Sequence, residues 1–133
     1  MPDRNKIYNY DLFPNCEFVY LKPPQTNGQN ISRDFIIELN DFCEQITKIK
    51  DSFDVALVSC GGYGNLVCSH IYDIGKSSIY VGGVLQMYFG ILGKRWKRER
   101  PDVVNIYMNK HWHVPTSEER PKGFENIEGS CYW

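Results

Sequence analysis

Apolar positions along the chain change their period several times, and each change predicts an element. Cys16-Glu-Phe-Val-Tyr-Leu21 reads as a strand stopped by Pro23 and Pro24. Ser32 is a candidate N-cap. After it, Phe35, Leu39, Phe42, Ile46 and Ile49 recur at spacings of four, three, four and three. That stripe predicts an amphipathic helix to about Lys50, packed on the core. Val55 to Ser59 run without alternation, as in a strand covered on both faces, and the strand at 54–60 ends in Gly61, Gly62 and Gly64. A helix follows from Tyr63 or Gly64 to Ile74, with Gly75 as its left-handed stop. Ser77-Ser-Ile-Tyr-Val81 predicts another strand, Gly82-Gly83 another turn, and Val84 to Leu92 a third helix. Asp102 to Met108 suits a further strand, and residues from Asn109 onward look irregular. The order β-α-β-α-β-α with short connections predicts an α/β fold with a short, mainly parallel sheet.

A length of 133 residues, 42% hydrophobic and 23% charged, predicts a single domain. Its parts are a tyrosine-rich lead-in at 1–15 that wraps the domain, an α/β core at 16–108 and an irregular tail at 109–133. No apolar run is long enough to span a bilayer, and Met1-Pro-Asp-Arg does not lead into a signal-peptide core; the cytoplasm is the expected compartment. Five cysteines without a CxxC pair suggest reduced, mostly buried thiols rather than a disulfide framework or a zinc site. The net charge of -1 hides an asymmetry: Lys94-Arg-Trp-Lys-Arg-Glu-Arg100 carries five bases and one acid. One basic segment on a mildly acidic body argues against nucleic acid as the partner, and such a run is often only a solvated turn.

The turns Gly61-Gly62-Tyr63-Gly64-Asn65 and Gly82-Gly83 fall at the carboxyl ends of successive strands, where open α/β sheets bind ligands. Strand, glycine turn and helix N-terminus together form an anion-binding concavity, although glycines equally serve plain tight turns. The dinucleotide fingerprint is incomplete. Its third small position falls on Val67, and Gly82-Gly83 stand where a ribose-binding acid belongs, which weakens NAD enzymes and adenosylmethionine-dependent methyltransferases. Cys60 beside a helix N-terminus is a candidate low-pKa nucleophile with His70 as base, or His70 is simply a half-buried helix residue. His111 and His113 alternate around Trp112 as two metal ligands would, without a third ligand at diagnostic spacing. Lys94 and Arg95 suit a diphosphate. Trp96, Trp112, Tyr132 and Trp133 offer rings for a base or sugar, or cover for the core. Glu118, Glu119, Glu125 and Glu128 offer carboxylates for a base or a metal.

Phe53 to Gly64, the block from Gly75 through Gly82-Gly-Val-Leu-Gln86 to Gly93-Lys-Arg-Trp96, and the ending Glu128-Gly-Ser-Cys-Tyr-Trp133 resemble one family. It comprises glycosyltransferase-like proteins of surface-polysaccharide gene clusters, similar to the GT-D class. The GGVLQxxFGIxGKRW-like block is the most specific part. The resemblance implies a Rossmann-like three-layer domain that transfers a sugar from a nucleotide-sugar to a glycan acceptor. Gly61, Gly62, Tyr63, Gly64, Asn65, Gly82, Gly83, Gln86, Lys94, Arg95 and Trp96 would line its donor site, with a divalent metal as candidate cofactor. Relatives are typically about twice as long and carry a Gly-Asp-Gly-Glu-like motif in their first half, which this sequence lacks. The chain then corresponds to the C-terminal half of a split or shortened enzyme. Glu118, Glu119 or Glu128 would have to activate the acceptor hydroxyl. The alternative is a non-catalytic module that binds a sugar nucleotide or a partner chain, or assembles as a homo-oligomer.

Overall fold

The structure, a computed structural model, describes residues 4–133; the start of the lead-in and of the Met1-Pro-Asp-Arg segment, Met1 to Asp3, lies outside the described residues. Helix α1 is a single turn, Arg4–Ile7. The described residues gather into two compact units. A sheet unit comprises Glu17–Thr26 and Ile31–Leu85, and a tail unit comprises the chain up to Cys16 with Asn27–Asn30 and Gln86–Trp133.

In the sheet unit the long stripe forms helix α2, Phe35–Lys48. Its N-cap is Asp34 rather than Ser32, because the Asp34 carboxylate accepts the Ile36 N–H at 2.8 Å and satisfies an otherwise unpaired donor of the first turn. Strand β1 is Val55–Val58, helix α3 is Gly64–Asp73, and strand β2 is Ser77–Tyr80. The strands pair in parallel, Val55 with Ser77 through Val58 with Tyr80, and α3 is their crossover. Gly75, at φ +79°, ends α3 in the left-handed conformation expected, and the Lys76 N–H closes the cap on the Ile71 carbonyl at 3.0 Å. Phe42 and Ile46 of α2, Val67 and Ile71 of α3, Val58 and Tyr63 form the core, with Ala56, Cys60 and Cys68 against it.

The sheet departs from expectation in two ways. It has two strands, since Cys16 to Leu21 is irregular: Leu21 packs on the core while Val19 and Tyr20 stay half exposed, and no ladder forms. The unbroken apolar run of β1 is also not covered on both faces. Ala56 and Val58 point into the core, whereas Val55 is 53% and Ile79 of β2 56% exposed.

The predicted helix at 84–92 shortens to α4, Leu85–Tyr88, whose residues from Gln86 on belong to the tail unit. Gly90 adopts φ +69°, and a β-carbon there would lie 2.9 Å from Ile7, so the chain turns where only glycine fits. Ile91 then bridges His113 in parallel. The basic run is helix α5, Lys94–Glu99, rather than a turn. Asp102 to Met108 is helical too. In α6, Pro101–Tyr107, proline occupies the first turn, where its missing N–H costs nothing, and Val103, Val104, Ile106 and Tyr107 fit helical spacing as well as a strand. Beyond Tyr107 the chain carries only short 3₁₀ turns. Ile7, Met87, Leu92, Val104, Trp112 and Cys131 are buried. Among the described residues no helix is long and apolar enough to cross a membrane.

Gly64 fixes how α3 meets β2. A β-carbon at residue 64 would lie 2.7 Å from Cζ and 2.8 Å from Cδ2 of Tyr80. Gly64→Ala should therefore cost about 1–3 kcal/mol by overpacking. In a Tyr80→Ala background the same change should become neutral or stabilising, because alanine is the better helix former. Urea unfolding of the four chains measures that coupling.

Candidate functional site

The Gly61–Asn65 turn is built by three glycines that act differently. Gly61, at φ +52°, reverses the chain after β1, and its carbonyl accepts the Tyr80 hydroxyl at 3.2 Å. Gly64 allows the close helix–strand contact. Gly62 does neither, since a β-carbon there would meet nothing within 4 Å and its φ is not left-handed. Gly61, Gly62 and Asn65 are exposed at the start of α3. The Tyr63 N–H is bonded to the Cys60 carbonyl at 3.1 Å and the Gly64 N–H to the Gly61 carbonyl. Tyr63 faces inward; its ring stacks on Phe35 at 4.4 Å and its hydroxyl reaches Thr26 at 3.4 Å. The second turn repeats the device, with Gly82 at φ +68° and a 3₁₀ turn, Gly82–Val84, that includes Gly83.

Gln86, Lys94, Arg95 and Trp96 belong to the tail unit, where Gln86 and Arg95 meet the chain's ending and Trp96 bonds to Gln86. The Trp96 indole donates to Gln86 Oε1 at 2.9 Å, and Gln86 Nε2 donates to the Tyr132 carbonyl at 3.3 Å. Gly93 leaves room for this approach, since a β-carbon there would lie 2.8 Å from the Tyr132 carbonyl oxygen. The Arg95 N–H donates to the Cys131 carbonyl at 2.7 Å. Its guanidinium lies 6.0 Å from the Trp96 ring and 5.6 Å from the Tyr132 ring, and its Nη1 is 3.3 Å from the Tyr132 hydroxyl and 3.8 Å from Glu128 Oε2. The Arg95 Nε is 3.2 Å from Glu99 but misaligned, which leaves a buried donor without a hydrogen-bond partner among the described residues. Tyr132 donates to Glu128 at 3.1 Å, and its phenol pKa is raised by burial and then by that bond. Glu128, Gly129 and Ser130 adopt φ of 45°, 63° and 62°, three left-handed residues in a row. Lys94 is exposed at the first residue of α5.

The tail carboxylates separate by environment. Glu119 is a structural cap: its Oε2 accepts the Thr116 N–H at 2.8 Å and lies 2.7 Å from His113 Nε2. The Thr116 backbone bond and then His113 lower its pKa to about 2. Glu118 and Glu125 are exposed in separate 3₁₀ turns. Only Glu128, of the acidic candidates, joins residues singled out for substrate binding.

Other pairings dissolve. Burial, followed by Cys68 and Cys43, pushes the Cys60 thiol up to about 11, opposite to the activation expected at a helix N-terminus. His70 shares a 2.8 Å hydrogen bond with Thr47 instead. His113 is taken by Glu119, and the His111 N–H donates to Asn109. Among the described residues no three His, Cys, Asp or Glu side chains converge as metal ligands, so we derive no step through a metal ion. Sequence alone misses Glu99 as a partner of Arg95 and a cleft lined by Tyr8, Tyr10 and Lys110; the tyrosines of the lead-in are its only signal. Comparison with protein-family models, curated proteins and solved structures finds no match to this chain.

Glu119 sets a pH dependence. A carboxylate with a depressed folded-state pKa adds stability above its ordinary value of 4.5 and loses it as pH falls toward about 2. Denaturation midpoints of the native chain and Glu119→Gln should differ at neutral pH and converge across that window.

Proposed function

We propose that the chain is a glycosyltransferase-like, sugar-nucleotide-binding protein with a Rossmann-like sheet unit, whose Gly61–Asn65 turn receives the diphosphate of the donor. One observation carries this reading: Gly62 is exposed at the start of α3, and neither strain nor crowding requires it to be glycine. A bare backbone at that place suits close approach by an anion, which the helix N-terminus favours. The five free thiols suit the cytoplasm, where nucleotide-sugars would be met. Within the tail unit, Glu128 is the carboxylate best suited to serve as a general base. Arg95 and Tyr132 hold its carboxylate while it remains exposed.

A second reading is a non-catalytic binding module. It is favoured by Gln86, Arg95 and Trp96, which already bond to one another or to the ending of their own unit.

Thermal unfolding of the whole chain with UDP-, GDP- and dTDP-sugars, with and without divalent metal, tests both. A true donor should stabilise by about 2.7 kcal/mol at a hundredfold excess over Kd. Gly62→Ala should keep the unliganded midpoint and lose the response. Glu128→Gln should keep the response and, if the chain is a transferase, abolish transfer. Response without transfer in the native chain supports the module; no response to any nucleotide-sugar overturns both readings.

A further inference from the structure

We propose that the tail unit holds a carbohydrate-binding cleft between residues 6–11 and the turn at Asn109 to His111, with Tyr10 as its stacking platform. The cleft is open, with a volume of about 720 Å³, a size that accommodates a short oligosaccharide.

Its walls are tied together by side chains rather than left to loop motion. Asn109 Nδ2 donates to the carbonyls of Lys6 at 3.2 Å and Ile7 at 3.0 Å, and the buried Trp112 indole donates to Ile7 at 2.9 Å. Asn109 Oδ1 accepts the His111 N–H at 2.8 Å and so fixes the second wall. Tyr8 is the pillar beneath. Its hydroxyl donates to the Met87 carbonyl at 2.7 Å, and its ring meets Tyr107 at 5.6 Å and Trp112 at 5.8 Å, both edge-on. Tyr10 lies 5.9 Å from Tyr8 and 6.3 Å from Tyr107, edge-on to the latter, yet it is 54% exposed. A large ring so held by aromatic neighbours while facing solvent offers an ordered apolar surface at low entropic cost.

The apolar C–H face of a pyranose fits such a ring, and its hydroxyls need donors and acceptors at the edges. Asn9, Asp11, Lys110 and His111 supply both around the cleft. Lys110 places a cation on the rim, which favours a sugar bearing a carboxylate. A nucleic acid fits less well, because a run of phosphates needs a longer basic track and is repelled by Asp11. Binding stands on these contacts alone; assigning the cleft to the glycan acceptor rests on the transfer reading above.

Calorimetric titration of the whole chain with a hyaluronan hexasaccharide, maltohexaose and decathymidylate tests the proposal. Saturable binding of the hexasaccharide, tighter than maltohexaose, is expected. Tyr10→Ala should weaken it roughly tenfold, the worth of an aromatic contact near 1.4 kcal/mol. Tyr10→Phe, which keeps the ring, should stay within about twofold, and Lys110→Ala should weaken the acidic sugar more than the neutral one. An unchanged far-ultraviolet spectrum shows that the variants remain folded. Absence of binding by both oligosaccharides, an unchanged affinity in Tyr10→Ala, or a preference for decathymidylate would overturn the cleft. A thermal response to nucleotide-sugars without oligosaccharide binding removes the cleft alone, and the converse removes the donor reading alone.

Discussion

Helix α3 and strand β2 approach so closely that the Tyr80 ring occupies the space a β-carbon on residue 64 would need. The same side chain sends its hydroxyl to the Gly61 carbonyl. Tyr80 therefore touches both ends of the glycine turn, and the turn's direction follows from packing rather than from loop preference. With Gly61 and Gly64 committed to the turn and the helix contact, the open position falls on Gly62. The fold alone explains two of the three glycines, and the third carries the functional argument.

The tail unit is ordered by a comparable but polar device. Gln86 and Arg95 receive the last residues of the chain through main-chain carbonyls, with Trp96 holding Gln86 and Gly93 leaving room, a geometry that depends little on which side chains the ending carries. Arg95 adds the side-chain part, with Trp96 and Tyr132 beside its guanidinium and Glu99 and Glu128 near its nitrogens. Planar arginine suits a place that demands stacking and carboxylate contact together.

Where structure is local, the sequence announced it. The stripe of α2, the β1–turn–α3–β2 passage and the Gly75 stop are each carried by residues close together in the sequence, and all appear. Cys16 to Leu21 misleads because strand propensity needs a neighbour to pair with. Asp102 to Met108 misleads because its apolar spacing suits both helix and strand, and Pro101 decides for the helix. The site was legible to the same extent. Gln86, Arg95 and Trp96 share one sequence block, but what distinguishes Glu128 from Glu118 and Glu119 is Arg95, more than thirty positions away. Tyr8 and Tyr10 lie about a hundred positions from Asn109, so only folding joins them.

The left-handed run at Glu128, Gly129 and Ser130 places the carboxylate candidate on unfavourable backbone. For a residue with a β-carbon that conformation costs roughly 1–2 kcal/mol. Glycine at position 128 would relax the main chain and remove the acid in one stroke. Robustness and chemistry thus compete at a single residue, and a search for hardier variants of this protein would drift toward ones that have lost the carboxylate.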